Sequence, residues 1–381
     1  MILSSLQLKN FRSHKETSTI FSDKLNYIVG GNGQGKTSIL EAIYFLCTTK
    51  SHNSSDTQVV QFGENEFELN GCFKDKTENK IRIYYSLSEN KKYYFENSKI
   101  INRTADIIGK YPVVILTPAD HAITQGSPRD RRKFVDSVIS QASETYLKIL
   151  LDYNKTLRQR SSLLNQLKES RFSKYSGSTD LNDELEAWTT KLIETGSELI
   201  KHRKKFVEDF NSFISDSYKI IMEQDEVPKI IYSSLDGDLN GNIEEKFKEL
   251  IGEKKEEELR RASNLIGPHR DDFIFEINGI NLKAYGSQGQ HKTFQVVLRF
   301  AEFFYLKEIT GKTPVFLLDD VFGELDTHRS MKISDYLKSV GQAFITLTDF
   351  TNISFLKRSP DDLVLNIKNG EVKIVEEFAH A

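Results

Sequence analysis

The sequence predicts an α/β fold interrupted by a mostly helical insertion. Three observations carry this reading. A short apolar strand runs straight into a glycine-rich turn and an apolar helix near the N-terminus ("LNYIVGGNGQGKTSILEAIYFL", 25–46). Two further apolar strands lie near the other end of the chain, "VFLLDD" (315–320), which closes on two acids, and "QAFITLT" (342–348). Between them the texture changes to apolar residues at threes and fours, with no proline between Pro128 and Pro228.

Taken in order, Ile2 to Leu8 alternates as a half-buried strand does, and Leu25 to Val29 is a buried one. The helix after the glycine turn has its apolar positions at Ile39, Leu40, Ile43 and Leu46. Residues 66–95 read as a meander of strands with polar turns, and "YPVVIL" (111–116) as another buried strand. One helical pattern then runs from Val135 to Leu167. A polar breaker-rich stretch, "RFSKYSGSTD" (171–180), separates it from a second, Leu185 to Phe213. Two long helices joined by one polar turn predict an antiparallel arm, on the order of 60 Å long for roughly 40 residues. A small bundle packed on the main domain is the alternative. "EEKFKELIGEKKEEELRR" (244–261) is a charged helix with a solvated face, and 272–285 reads as a hairpin around Asn278-Gly279. An amphipathic helix covers 288–309. The expected division is therefore 1–127 and 263–381 as two parts of one domain, with 128–262 inserted.

Bulk composition narrows the class. A chain of 381 residues has room for a large domain and a smaller one. Its net charge of −3 means that any nucleic-acid contact must come from local patches. No apolar run is long enough to span a membrane, the N-terminus does not read as a signal peptide, and two cysteines, Cys47 and Cys72, make no disulfide framework. A cytoplasmic protein is expected.

The glycine turn "GGNGQGKT" fits G-x-x-x-x-G-K-[ST], with a strand before it and a helix after it. Gly30, Gly31, Asn32, Gly33, Gln34 and Gly35 would curl so that backbone N–H groups face phosphate oxygens. Lys36 would supply charge to the β and γ phosphates, the Thr37 hydroxyl would ligate Mg²⁺, and Ser38 closes the loop. The partner element is a strand ending in an acid. Asp319 would hold the Mg²⁺ through water, and Asp320 would orient or deprotonate the attacking water. A second anion-seeking helix start, "GSQGQHKT" (286–293), has no second ligand within one chain. A head-to-tail pair of copies would give each nucleotide both elements, which predicts a homodimer with ATP in the seam.

These residues carry a resemblance. "LKNFRSH", "GGNGQGKTSILEAIYFL", "GSQGQHKT", "FLLDDVFGELD" and "QAFITLTD" together resemble the ATPase heads of the ABC and SMC class, and "TPADHAITQGSPRDRRKFVD" and "IGPHRDDF" narrow this to the RecF family. The resemblance spans residues 2 to about 350. Gly31 stands where many relatives have Pro, and His291-Lys292 where a Gln-Arg pair is common. It implies ATP binding, dimerisation on ATP, DNA binding near single-strand gaps, slow DNA-stimulated hydrolysis, and action with RecO and RecR in recombinase loading. It also implies that Ser287 and Gly289 touch the γ phosphate held by the opposite subunit, with Gln288 and Gln290 shaping that loop. Glu324 and Asp326 would lie across the dimer seam, and Arg12 near the nucleotide. Where the class has a His after the last core strand, this chain has Thr348 and Asp349.

For DNA the candidates are two basic clusters, Arg129, Arg131, Arg132 and Lys133, and Lys201, Arg203, Lys204 and Lys205. "SPRDRRKF" has an alternative reading as ion pairs that hold the arm root. His269 reads either as a base or as a structural contact, and Arg270 either as a phosphate ligand or as a partner of Asp271 or Asp272. A transporter ATPase is disfavoured, because there is no full "LSGGQ" and no switch His. A chromosome-organising protein is disfavoured by the short insert, and a phosphotransferase by the "SQGQ" and "GELD" pair.

Overall fold

Strand β1 (Ile2–Phe11) turns its leucines inward and pairs antiparallel with β2 (His14–Ile20). Strand β3 (Leu25–Val29) leads into the glycine turn and helix α1 (Lys36–Thr48). The meander follows as β4 (Glu66–Lys74), β5 (Glu78–Ser86), β6 (Lys91–Glu96) and β7 (Lys99–Ile101), and β8 (Val113–Leu116) closes this stretch. This is a computed structural model, and it describes residues 1–52, 54–170, 178–222, 226–235, 237, 241–324, 327–348 and 359–375.

The chain divides into two units, and the second interrupts the first: Met1–His121, Asp216–Asp225 and Gln288–Ala381 form one, Ala122–Ser215 and Glu226–Ser287 the other. The expected insertion of 128–262 is therefore wider here, because the hairpin strand after residue 263 pairs inside the second unit.

Helix α2 (His121–Gln125) enters the second unit at Ala122, and that unit continues with α3 (Pro128–Ala142), α4 (Glu144–Ser170) and α5 (Ser178–Met222), which passes from the second unit into the first at Asp216. The single helical run expected from Val135 to Leu167 is two helices. Ser143 breaks it in an extended conformation, and its hydroxyl accepts from the N–H of Tyr146 at 3.2 Å, capping the helix that follows. Leu163, Leu164 and Leu167 near the end of α4 pack with Leu185 near the start of α5, as antiparallel neighbours do. The polar turn between them lies outside the described residues. Strand β9 (Pro228–Ser233) and helix α6 (Ile243–Arg261) follow, the latter capped by Asn242, whose side chain accepts from Glu244 and Glu245 N–H. Strand β10 (Asp272–Ile277) pairs with β9 and with β11 (Ile280–Asn281). The expected return strand of that hairpin is only two residues long. Asn281 accepts from the Ala284 N–H at 3.1 Å and starts the short helix α7 (Leu282–Tyr285) instead.

The first unit resumes with α8 (Gln288–Thr310), β12 (Val315–Leu318), α9 (Thr327–Leu337), β13 (Ala343–Leu347), β14 (Leu363–Lys368) and β15 (Glu371–Ile374). Its two sheets have the orders β2-β1-β4-β5-β6-β7, antiparallel, and β15-β14-β3-β13-β12-β8, parallel but for β15. One core joins them through α1. Ile39, Leu40, Ile43 and Leu46 are fully buried, and so are Ala42 and Phe45, so the helix is apolar nearly all round. Phe11, Phe45 and Phe67 meet edge to face at 5.4–6.3 Å between ring centres. This packing puts the carboxyl ends of β3 and β12 beside each other's neighbour β13, and the two phosphate-handling segments leave from those ends.

Candidate nucleotide-binding site

The site is built from three strand ends. After β3 the chain needs left-handed backbone at Gly33 (φ 75°) and Gly35 (φ 105°), which a side chain would strain. At Gly30 a side chain would also strike the carbonyl oxygen of Ile367 on β14, at 2.4 Å. The Lys36 ammonium donates to the carbonyls of Gly30 and Gly31 at 2.7 and 2.9 Å. Burial pulls its pKa below the usual lysine range, and the charges of Asp320 and Asp319 oppose that shift. The Ser38 N–H donates to the Gly35 carbonyl at 3.1 Å, so α1 begins at once after the loop.

After β12 the two acids diverge. The Asp319 carboxylate accepts from the Thr37 hydroxyl at 2.9 Å and from the Thr346 hydroxyl at 2.8 Å. Asp320 is exposed and held at φ 50°, a conformation unusual outside glycine, and its N–H donates to Thr346 Oγ1 at 2.8 Å. Thr346, on β13, thus ties both acids together. The sequence reading missed it, since a threonine inside a buried strand carries no signal of its own. A small cleft of about 30 Å³ opens beside Asp320, lined among others by Thr117, Lys292 and Gln295, with room for about one water. The turn on its other side is fixed by Asp120, which accepts from Arg299 of α8 at 2.7 and 3.0 Å. Arg299 also pairs with Glu302 and is buried. That bridge joins residues 179 apart and was likewise unread.

Arg12 is engaged by Glu41 of α1 at 2.7 and 2.8 Å, and by Ser54 and Gln58. Ser287 stands exposed directly before the first residue of α8, followed by exposed Gln288, with Gly289 and Gln290 half-buried. Glu324 ends a short turn after β12, while Asp326 and Asp349 lie outside the described residues. Thr37 and Asp319 offer hard oxygen donors, the set that suits Mg²⁺, and among the described residues no cluster of three or more His, Cys, Asp or Glu could hold a metal ion.

The basic clusters in the second unit need a correction. Arg131 is buried and makes a bidentate pair with Asp272 at 2.7 and 2.9 Å, so it does not face DNA. Arg203 is buried too, bonded to Asp136, Asp271 and the Pro268 carbonyl. Arg132 donates to the Asp271 carbonyl at 2.5 Å. These residues support the alternative reading of that stretch, ion pairs that hold the arm root. Lys133 and Lys205 stay exposed, the latter paired with Asp209. His269 is mostly buried, with Nδ1 2.7 Å from the Tyr153 hydroxyl and Nε2 3.1 Å from the Asn264 carbonyl, and burial pulls its pKa down to about 4. Those partners make it a structural neutral ring. Arg270 donates to the same Asn264 carbonyl at 3.0 Å.

Comparison with known proteins decides the family. Residues 1–315 match the model of an AAA ATPase domain. A DNA replication and repair protein RecF of Chloroherpeton thalassium is 40% identical over 372 residues, covering 94% of this chain and 98% of the relative. The chain belongs to the RecF family. A RecF of Streptococcus gordonii is 36% identical over 98% of this chain and 100% of its own. Among solved structures, a recombination mediator RecF with ATP, from the RecFOR pathway, superposes with TM-score 0.87 at 33% identity, covering 98% of this chain and 97% of that one. An Smc head of Pyrococcus furiosus superposes at 0.56 and 18% identity, which marks the shared fold of RecF and SMC heads. As in the sequence reading, this is a P-loop ATPase head carrying a mostly helical insert. No helix among the described residues is long and apolar enough to cross a membrane.

Proposed function

We propose that this chain is a DNA-repair ATPase that binds ATP and Mg²⁺, dimerises around the nucleotide and uses slow hydrolysis as a switch on gapped DNA. The observation that carries the reading is the contact of Thr37 with Asp319 at 2.9 Å, with Lys36 under the electrostatic influence of both acids. In P-loop ATPases that pair of oxygens holds the metal. The N–H groups of the loop and Lys36 bind the phosphates and fix their orientation. Thr37 and Asp319 would hold Mg²⁺, which when bound neutralises charge on the β and γ phosphates. Asp320, displaced from the strand by its backbone conformation and held by Thr346, orients a water or accepts its proton. The relatives' names and the RecFOR setting of the matched structures support DNA as the surface it acts on, with RecO and RecR as partners; a cytoplasmic location belongs to this reading.

The seam is the second part of the proposal. Ser287, Gln288, Gly289 and Gln290 at the start of α8 would complete the site of the other copy, with Glu324 and Asp326 along the contact and Arg12 near the phosphate after sharing its hold on Glu41. Light scattering on the hydrolysis-blocked Asp320→Asn chain tests it. ATP should double its mass, and Ser287→Arg added to it should keep ATP bound while the mass stays that of one chain. Equal mass with and without ATP in Asp320→Asn sinks the dimer. Absent ATP binding sinks the whole reading.

A further inference from the structure

His14 is fully buried against the phosphate loop, and nothing in the nucleotide chemistry above uses it. Its Nε2 lies 3.0 Å from the Gly35 carbonyl oxygen, and its Nδ1 lies 2.9 Å from the Gly370 carbonyl oxygen and 3.0 Å from Thr17 Oγ1. The Thr17 hydroxyl itself donates to the Gly370 carbonyl at 2.9 Å. A carbonyl oxygen only accepts, so each ring contact is a hydrogen bond only when the nitrogen facing it carries a hydrogen. A neutral imidazole carries one. With its hydrogen on Nε2 the neutral ring donates to the Gly35 carbonyl while Nδ1 can accept from the Thr17 hydroxyl; with its hydrogen on Nδ1 it donates to the Gly370 carbonyl. His269 likewise lies between a hydroxyl and a carbonyl, but away from the phosphate loop.

The direction of these bonds matters for the loop. In a trans peptide the C=O and the following N–H point opposite ways. Holding the Gly35 carbonyl from one side therefore aims the Lys36 N–H, the first of helix α1, to the other. One peptide earlier the same device recurs. The Gly370 N–H donates to the Gln34 carbonyl at 3.2 Å, which aims the Gly35 N–H away from that turn. The Asn369 N–H holds Gln34 Oε1 at 2.6 Å. The fit is close on both sides. A side chain at Gly35 would meet His14 Nε2 and Ser13 Oγ at 2.7 Å, and one at Gly370 would meet the Ser13 carbonyl at 2.6 Å. Charged residues on these elements include Arg12, Lys15 and Glu16, Lys36 after the loop, and Lys368 and Glu371 around the turn. Among the described residues no carboxylate bonds to the ring.

We propose that His14 is a positioning residue for nucleotide binding. It clamps the phosphate loop to the Asn369–Gly370 turn, so that consecutive loop amides face the phosphates. This rests on the nucleotide-binding reading. The test is calorimetry of ATP with Mg²⁺ on the full wild-type, His14→Gln, His14→Ala and Thr17→Val chains, with thermal unfolding in parallel. His14→Ala should weaken ATP about tenfold or more, the effect of removing one buried hydrogen bond. His14→Gln should recover part of it, because its amide offers two N–H donors. Thr17→Val, which leaves both carbonyl contacts of the ring, should bind ATP within about twofold of wild type. His14→Ala binding within about twofold of wild type, or His14→Gln binding no tighter than His14→Ala, overturns the clamp. If His14→Ala does not fold, His14→Gln decides: it should bind ATP more weakly than wild type, and affinity equal to wild type overturns the clamp. A wild-type chain that binds no ATP overturns the nucleotide reading, and this inference with it.

Discussion

The phosphate loop and the Arg203 network both bury positive charge, and they hold it differently. In the second unit, Arg203 donates to the carboxylates of Asp136 and Asp271 and stacks its guanidinium 5.9 Å from the Phe273 ring centre. Tyr146 and Tyr232 hydrogen-bond to those same two acids. Its charge is cancelled inside the protein. In the first unit, the hydrogen bonds of Lys36 go to two backbone carbonyls. Carbonyl partners orient a cation without neutralising it, so the positive potential remains available to an anion. In the proposed function, the cation locked by carboxylates serves the fold, and the one held by carbonyls beside a helix N-terminus serves an anion.

The largest expected effect breaks this contrast directly. Arg203→Ala strands the buried Asp271 carboxylate and the half-buried Asp136 carboxylate, and should cost about 3–5 kcal/mol of stability in denaturant unfolding. Lys36→Ala should leave unfolding nearly unchanged and weaken ATP about a hundredfold, as the removal of a charge-assisted phosphate contact implies. Equal loss of stability in both variants would show that the two regions are alike, and the distinction would fall.

Proton linkage gives the next effect. Burial lowers the pKa of His269 to about 4, from an unfolded value near 6.5. The stability it contributes is whole above about pH 6.5 and is lost as pH falls toward about 4, where the unfolded ring has taken a proton and the folded one has not. The full loss is on the order of 3 kcal/mol. Urea unfolding of wild type and His269→Asn at stepped pH reads it as a difference in slope of about one proton over that window. Parallel slopes would mean that His269 titrates as it does in solvent, and its reading as a buried neutral ring would be lost.

These two regions were legible to different degrees for a physical reason. The loop from Gly30 to Ser38 and the acids Asp319 and Asp320 are encoded by spacing within a few residues, so the sequence alone supports their chemistry. The partners of the arginines are not local. Arg131 meets Asp272 across 141 residues and Arg203 meets Asp271 across 68, so a run of basic residues looked the same whether solvated or buried. His14 was silent for a related cause, because its partner Gly370 lies 356 residues away. The break at Ser143 was readable in principle, since Ser followed by Glu144 is a helix-start signal, but the apolar periodicity runs across it. The strand that became α7 shows local capping by Asn281 winning over a weak alternation.

The smallest effect concerns the cations that neither region has claimed. Lys133 and Lys205 are exposed and Lys204 is half-buried, and the pair of Lys205 with Asp209 is an exposed i,i+4 contact of little strength. If charge not cancelled inside the protein is what meets DNA, these three are the second unit's contribution. Replacing all three by Ala should lower the slope of log affinity against log salt by about 2 or more, near 0.7–0.9 for each phosphate that is no longer neutralised. Affinity at fixed salt should drop several-fold, and stability should move by less than about 0.5 kcal/mol. Fluorescence anisotropy with gapped DNA at stepped salt measures the slope. An unchanged slope removes these lysines from the DNA surface. It would also mean that exposure alone does not sort functional from structural cations here, and that the buried carbonyl-held kind in the phosphate loop is a special case of a P-loop.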